Sequence, residues 1–383
     1  MGGFGLTEAQ EMFRKEIRGF AQKELAPGAK ARAKMDHFPK EVLKRMAEVG
    51  LLSFNLPEKY GGQSADWVTV GVAVEELSRA DFNLAIAPVL STGLCMGLRL
   101  APEEVQAEWL PRVSRGETLI CLGLSEPSMG SDGAAVQCRA VKKGDHYVLN
   151  GEKTSITLGM QSEAIIAFAS TNPAARARGV TAFFIPYSLP GVHRSRLPDM
   201  GCKPMGRASV ILDNVNLPEK YLLGEEGKGF HLVMTQFDAI RIFLGLMCMG
   251  IAQTSLDEAM NYAKQRTAFG QPLAKFEGIS FKIAEAATML ECGRLLCYNT
   301  LAMKDRGETH TKESAMCKWL CPKVAVQVIH DCLLIHGHFG YSEEYPLEQR
   351  LRDVIGWELA DGSAEIMKII IGRELLGREF LPY

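Results

Sequence analysis

The segment LGLSEPSMGSD, Leu122–Asp132, brings several hydrogen-bonding groups together directly after a predicted strand. It contains the hydroxyl of Ser125, a Glu-Pro turn and a Gly-Ser-Asp turn. Such a loop presents hydroxyl groups and free backbone N–H groups to a planar polar ligand. The alternative interpretation is an ordinary hairpin turn that binds nothing.

Two other kinds of site have little support in the sequence. The ten cysteines form no Cys-x-x-Cys pair, and no histidine stands at ligand spacing from them. His336 and His338 lie in a glycine-rich loop with no further ligand at metal-binding spacing, so a metal site is not expected. No strand precedes a G-x-G-x-x-G motif, which argues against a dinucleotide-binding fold. Scattered cysteines indicate free thiols in a reducing compartment, and we expect a cytoplasmic protein.

The spacing of apolar residues predicts three consecutive parts that must position these groups. From residue 6 to about residue 115 the spacing is three and four, which indicates amphipathic helices. Between about residues 117 and 216 the period becomes two, with turn residues between the segments, which indicates β-strands. Helical patterns then return, at Phe230–Lys264, Phe276–Lys304 and Lys312–Ile335.

These patterns predict an α+β fold that is mainly α. We place an N-terminal α-helical domain at residues 1–117, a middle β-barrel or sandwich domain at 118–224, and a C-terminal four-helix bundle at 225–383. Helices as long and apolar as those of the last part usually pack against more than one neighbour. The outer faces of the bundle are therefore expected to meet other subunits.

The charge balance excludes some classes of partner. There are 43 Lys and Arg residues against 45 Asp and Glu, a formal net charge of −2, so no basic field is available for nucleic acid or an anionic membrane. Apolar runs such as RIFLGLMCMGIA, from Arg241, are predicted to be too short to span a bilayer. The amphipathic start includes acidic residues and predicts a first helix, not a transit or secretory signal.

Five segments in a fixed order carry a specific resemblance. They are LGLSEPSMGSD, NGEKTSIT, QRTAFGQPL, IHGHFGYSEEYPLEQRLRD and DGSAEI. Together they resemble the acyl-CoA dehydrogenase family over essentially the whole chain, and the order of helices, strands and helices resembles that family's three-part fold. The resemblance implies an FAD enzyme that dehydrogenates an acyl-CoA thioester. It also implies a homotetramer, a dimer of dimers, that passes electrons to an electron-transfer flavoprotein.

The same resemblance implies which residues bind FAD. Leu122, Leu124 and Ser125 would lie along the flavin, Gly130 and Ser131 would reach the phosphate or pantetheine side, and Thr157 would bond the flavin ring. The remaining contacts would come from Arg266, Phe269, Gly337, Ser363 and Glu365. Arg266 and Phe269 would reach a neighbouring subunit's FAD, with Arg266 at its pyrophosphate. The alternative interpretation, for each residue taken alone, is that Arg266 is a surface helix cap and that Phe269 is a core residue.

The chain departs from the family pattern at three flavin-side positions. Ser155 stands where a tryptophan commonly covers the flavin, Leu158 replaces a frequent asparagine, and Leu334 replaces a frequent glutamine beside the partner's FAD. The flavin edge is therefore expected to be more exposed or differently covered. Ser155 and Leu334 are still expected to lie at the cofactor.

The resemblance also assigns the catalytic base to Asp361, in the segment LADGSAEI. Family members usually carry glutamate there, so the carboxylate is one carbon–carbon bond, ~1.5 Å, shorter. A shift of that size is serious for a base acting on a straight acyl chain. Other members place the base just before the arginine of a D-x-x-R motif, but here that residue is Ile240, which cannot accept a proton.

The expected substrate contacts are Asp238 and Arg241 of the D-x-x-R motif at the coenzyme A moiety, together with Ser131, Ala360 and Gly362. Ala360 replaces the bulky aromatic residue that often precedes the base, which would enlarge the space around the α carbon.

A short base beside a small residue favours an acyl group that is wide at its α carbon. The sharpest hypothesis is oxidation of cyclohexane-1-carboxyl-CoA to the 1-ene thioester. Alternatives are a short or branched acyl-CoA substrate, a nitroalkane-oxidase-like flavin oxidase, an enoyl-CoA reductase, and a non-catalytic scaffold of the same fold.

Overall fold

The computed structural model describes residues 5–380. Its first part consists of α-helices α1 (Glu8–Phe20), α2 (Ala29–Arg32), α3 (Lys40–Glu48), α4 (Trp67–Ala80), α5 (Ile86–Leu98) and α6 (Glu103–Ser114). The first helix begins in a capping box, in which Thr7 and Gln10 satisfy each other's backbone N–H groups. The predicted N-terminal helical part is thus confirmed.

The middle part consists of strands β1 (Ile120–Gly123), β2 (Arg139–Lys143), β3 (His146–Ile156), β4 (Ala164–Ser170), β5 (Val180–Pro186), β6 (Val192–Arg196) and β7 (Ala208–Pro218). They form one mixed sheet in the order β1-β4-β2-β3-β7-β6, with β5 also paired to β4. Every residue of β4 and β5 is buried, which explains why these two strands read as unbroken apolar runs. Both β1 and β3 lead directly into the loops that line the cavity described below.

The C-terminal part begins with α7 (Gly229–Gln265) and a short hairpin of β8 (Thr267–Ala268) and β9 (Gln271–Pro272). Its other helices are α8 (Glu277–Asp305), α9 (Thr311–His336), α10 (His338–Tyr341), α11 (Leu347–Leu359) and α12 (Ala364–Leu376). The three long helices, α7, α8 and α9, each begin and end one residue away from the predicted bounds. The two shorter helices, α11 and α12, both pack against α9 and share the fourth position of the predicted bundle.

Helix α7 forms the centre of the molecule and packs against α4, α5, α8 and α9. By length and composition this helix would be sufficient to cross a membrane, so the expectation that its apolar run is too short was wrong. Its most apolar stretch of 18 residues is, however, 78% buried inside the protein. That burial is typical of the core helix of a globular fold.

A buried polar cluster joins the three parts. The carboxylate of Asp353, in α11, accepts hydrogen bonds from the Cys202 N–H at 2.6 Å and from Asn83 Nδ2 at 2.9 Å. Cys202 belongs to the middle part and Asn83 to the connection between α4 and α5. This cluster fixes the middle of α11, the helix that leads to Asp361.

Candidate active site

A cavity of about 770 Å³ lies where the three parts meet. Its walls come from α5, the loops after β1 and β3, the segment around Cys202, α7, and the connection between α11 and α12. A cavity of this size, apolar with a few polar groups, is typical of a small-molecule or cofactor site.

Most of the predicted cofactor residues line this cavity. They are Leu122, Leu124, Ser125, Gly130, Ser131, Ser155, Thr157 and Ser363. Within residues 5–380, the hydroxyls of Ser125, Ser131 and Thr157 make no hydrogen bond to the protein. The structure therefore brings two separate motifs of the sequence to one wall, with hydroxyl groups free to bind a ligand.

A buried ion pair shapes the loop after β1. Lys153 Nζ lies 2.7 Å from a carboxylate oxygen of Glu126 and donates to the Leu124 carbonyl at 3.1 Å. Glu126 also accepts hydrogen bonds from the N–H groups of Gln137 and Cys138. Sequence reasoning missed this pair, because nothing in the pattern of β3 marks Lys153 as an inward-facing charge. Both side chains are almost fully buried, so each neutralises a charge that would otherwise be very costly.

Two of the family departures lie in left-handed backbone, Ser155 near the end of β3 and Leu158 just after it. Ser155 has φ 59° and Leu158 has φ 60°, and Leu158 is buried. Non-glycine residues adopt this left-handed region rarely, and asparagine does so far more readily than leucine. The exposed Ser155 contributes no large side chain, so this side of the cavity stays open.

Asp361 lines the cavity from the connection between α11 and α12. Its side chain is half-buried, and burial raises its pKa, while the nearby charges of Lys318 and Arg241 lower it. The backbone is in the left-handed region, with φ 54°, which aspartate tolerates better than most residues. Within the described chain, neither the carboxylate nor the N–H of Asp361 has a hydrogen-bond partner.

The two residues of the D-x-x-R motif lie in different places. Arg241 lines the cavity and donates from Nε to the Asp361 carbonyl at 3.1 Å. Asp238 does not line the cavity, because its carboxylate accepts from Thr311 at 2.7 Å and lies 3.4 Å from Arg241 Nη1. Arg241 therefore supports the backbone of Asp361, and Asp238 supports Arg241.

Ala360 and Gly362 line the cavity beside Asp361, as the substrate prediction requires. The apolar residues that complete this wall were missed. On α7 they are Phe230, Met234, Phe237 and Ile240. Their spacing of three and four puts them on one helix face, but α7 is so apolar that this face does not stand out in the sequence.

Five predicted cofactor residues lie away from the cavity. Arg266, Phe269, Leu334, Gly337 and Glu365 are all solvent-exposed in the single chain. Phe269 stands at the tip of the β8–β9 hairpin, 95% exposed and at φ 50°. An aromatic ring held in that position cannot be a core residue of its own chain, so the core alternative for Phe269 is excluded.

The two histidines considered for a metal site serve other roles. His336 is buried, shares a hydrogen bond with the Cys332 carbonyl and stacks on Tyr262 at 4.3 Å between ring centroids. His338 is exposed. No cluster of ligands that would suit a metal ion occurs among the residues that the structure describes.

The groups around the cavity fit an isoalloxazine ring. Leu122 and Leu124 offer apolar surface, while the free hydroxyls of Ser125 and Thr157 offer hydrogen bonds to a polar ring edge. Gly130 has open space where a Cβ would stand, which leaves room for a bulky group beside Ser131.

Comparisons with known proteins agree with this geometry. Family models of the N-terminal, middle and C-terminal domains of acyl-CoA dehydrogenase match residues 7–117, 121–215 and 227–376. An acyl-CoA dehydrogenase of Bacillus subtilis is 37% identical over 97% of this chain and 99% of its own. The structure of butyryl-CoA dehydrogenase from Megasphaera elsdenii is similar with a TM-score of 0.93, 33% identity, and coverage of 98% of this chain and 100% of its own.

A further solved structure, of PigA with FAD and proline, has a TM-score of 0.95 at 25% identity, covering 98% of this chain and 100% of its own. The predicted fold class and cofactor are thereby confirmed. The chain belongs to the acyl-CoA dehydrogenase family and is an FAD-dependent oxidoreductase.

Proposed function

We propose that this enzyme removes the α-proton of an acyl-CoA thioester with Asp361, and that its substrate is cyclohexane-1-carboxyl-CoA. One observation carries the role of Asp361. Three carboxylates line the cavity in the described chain, and two of them are already engaged: Asp353 by its hydrogen-bond cluster, and Asp199 by Arg207 Nε at 2.9 Å. Asp361 is the carboxylate that is left free to take a proton.

The environment of Asp361 supports this role. An α C–H is a weak acid, so a base with a raised pKa is better matched to it than an ordinary carboxylate. Burial raises the pKa of Asp361. Ile240, at the other position where the family can hold a base, lines the cavity but has no group that accepts a proton.

The free N–H of Asp361 has a second use in this proposal. As the proton leaves, negative charge develops on the thioester oxygen, and a preorganised N–H group lowers the energy of that charge. Since the same residue supplies the carboxylate and the N–H group, the proton acceptor and the oxygen-binding group keep a fixed relative position. FAD, when bound, supplies the acceptor for the hydride that leaves the β carbon.

The cyclic substrate is supported by the size of two side chains. Ala360 leaves room beside the α carbon, and the shorter arm of Asp361 requires that this carbon come closer to the backbone. A cyclohexane ring is wide at its α carbon and is held close by its own bulk. A short-chain substrate is the second candidate, because one similar structure is a butyryl-CoA dehydrogenase.

Anaerobic bleaching of the flavin tests both parts. We expect cyclohexanecarboxyl-CoA to bleach the flavin faster than butyryl-CoA, and a clear preference for butyryl-CoA would reject the cyclic substrate. Asp361→Ala should retain FAD and bind ligand but bleach about 10²–10⁴-fold more slowly. Near-normal bleaching by Asp361→Ala would reject the base.

Asp361→Glu separates the two contributions to substrate choice. The longer arm should slow oxidation of the cyclic thioester and help a linear one, because it restores the usual reach of the base. A variant that slows both substrates equally would indicate that the αL backbone, and not the reach, requires aspartate.

We also propose a cytoplasmic homotetramer that uses an electron-transfer flavoprotein as acceptor. The exposed ring of Phe269 and the exposed Arg266 and Leu334 support contacts to a neighbouring subunit. Phe269→Ser should reduce both the assembled fraction on sedimentation and FAD retention. A fully assembled, FAD-retaining variant would contradict the shared cofactor site.

A further inference from the structure

Lys318, in α9, is a buried lysine at the base loop that sequence reasoning did not single out. The side chain is 1% exposed, and lysine is rarely buried so completely without a charged partner. Its Nζ donates to the Trp357 carbonyl at 2.6 Å and to the Gly362 carbonyl at 3.2 Å. Within residues 5–380 no carboxylate forms an ion pair with it.

The two carbonyls stand on either side of Asp361. Trp357 lies in the last turn of α11, where carbonyl groups have no partner within the helix. Gly362 follows Asp361 and precedes Ser363, the N-cap residue of α12. One ammonium group therefore ties the end of α11 to the residue after Asp361, and a cation is also favourable at the C-terminal end of a helix.

A second cation, Arg241, binds the preceding carbonyl. Arg241 Nε donates to the Asp361 carbonyl, so the carbonyls of residues 361 and 362 are held by two side chains from two different helices. Both residues have positive φ, 54° at Asp361 and 106° at Gly362. A backbone in this region persists only where its surroundings hold it, and these two hydrogen bonds supply that restraint.

The charges that face the base are few. Asp361 meets Lys318 from α9 and Arg241 from α7, and both cations favour its ionised form. Lys318 in turn meets Asp361, Cys248, Arg241 and Glu358. Burial lowers the pKa of Lys318 to about 8, with Asp361 acting in the opposite direction. Lys318 is therefore still mainly charged at neutral pH.

We propose that Lys318 is a positioning residue of the base loop: it fixes the peptide after Asp361 and keeps the carboxylate ionised for proton abstraction. This inference rests on the proposed role of Asp361 as the base. The proposed effect on the base is electrostatic as well as geometric, so it predicts a change in pH dependence that loss of packing alone does not produce.

Lys318→Met tests the proposal against Lys323→Met, an exposed lysine of the same helix. In Lys318→Met we expect at least tenfold slower flavin bleaching at neutral pH, with FAD and ligand binding retained. The acidic limb of the rate profile should move to higher pH, because Asp361 has lost a nearby cation. Lys323→Met should match the wild type in both measurements.

A second measurement does not depend on turnover. Infrared titration of the carboxyl band in substrate-free protein, with Asp361→Asn as the reference, reports the ionisation of Asp361 directly. We expect its midpoint to rise in Lys318→Met and to return towards the wild-type value in Lys318→Arg, which keeps a cation. An unchanged midpoint and an unchanged acidic limb in Lys318→Met would overturn the proposal.

Two further outcomes are also decisive. If Lys318→Met does not fold, Lys318→Gln removes the charge but keeps a donor for the two carbonyls, and the same titration applies with the same expected and contrary results. If Asp361→Ala bleaches the flavin normally, the proposed function fails. The infrared midpoint then still decides whether Lys318 controls the ionisation of Asp361.

Discussion

Two lysines, Lys153 and Lys318, are buried next to loops that line the cavity, and their ammonium groups have different kinds of partner. Lys153 has a carboxylate partner, Glu126, and both side chains hold the loop after β1 in shape. Among residues 5–380, Lys318 has only carbonyl groups within hydrogen-bonding distance, with the carboxylate of Asp361 nearby. The first arrangement is a closed ion pair, while the second leaves a charge whose field reaches Asp361.

The difference accords with the roles proposed for the two regions, cofactor binding at the loop after β1 and proton abstraction at Asp361. A closed pair satisfies its own charges and leaves the surrounding hydroxyls and N–H groups available to a cofactor. The ammonium group of Lys318 is held by carbonyls and its charge is not paired. Burial therefore lowers its pKa, and its charge lowers the pKa of the neighbouring Asp361. The proposed role of Asp361 as the base requires control of protonation there, which the loop after β1 does not need.

Breaking the closed pair should have the largest effect. Glu126→Leu leaves Lys153 buried without its partner, and we expect a loss of about 3–5 kcal/mol in the free energy of unfolding, together with weaker FAD retention. Denaturant unfolding measures the change. The double variant Glu126→Leu with Lys153→Met removes both charges and should recover most of the stability. A single variant as stable as the wild type would show that the pair does not hold the loop.

Removing the open charge should change the pH dependence of stability. The pKa of Lys318 is about 8 in the folded protein, against 10.5 for an ordinary lysine, so the unfolded chain binds the proton more strongly between these values. Raising the pH through this window therefore stabilises the wild type relative to Lys318→Met, by about 3 kcal/mol in total. Denaturant unfolding of both proteins at pH 7.5–10.5, in steps of about half a pH unit, measures this difference in stability. Parallel stability curves would contradict the effect.

The smallest expected effect concerns the interaction between Lys318 and Asp361. Asp361→Asn removes the negative charge that favours protonated Lys318, so the pKa of Lys318 should fall further. In Asp361→Asn, the rise of stability with pH should therefore begin at a lower pH than in the wild type. The same unfolding series detects the shift, and coincident midpoints would show that the two groups do not interact.

The sequence was sufficient for the helices because their patterns are local. The ends of α7, α8 and α9 each lie one residue from the predicted positions, since periodicity and turn residues mark them in the sequence. The hydroxyl loop after β1 was predicted for the same reason. Lys153, Lys318 and the α7 face lining the cavity were not, because their roles depend on contacts between distant segments.

Asp238 illustrates the limit of a motif. The family resemblance predicted that Asp238 and Arg241 contact the coenzyme A moiety. In the structure Arg241 lines the cavity, while Thr311 of α9 engages the carboxylate of Asp238. No property of the motif itself indicates which of its members faces inward. That choice depends on the neighbouring helix.

By itself the sequence determined the order of helices and strands, the family, and which carboxylate stands at the place of the base. These follow from residue type and spacing along the chain. Only the tertiary structure decided that Asp361 is the free carboxylate of the cavity, and that Lys318 and Arg241 hold the peptide beside it. The physical reason is that pKa and hydrogen bonding depend on burial and on neighbours that lie tens of residues apart in the chain.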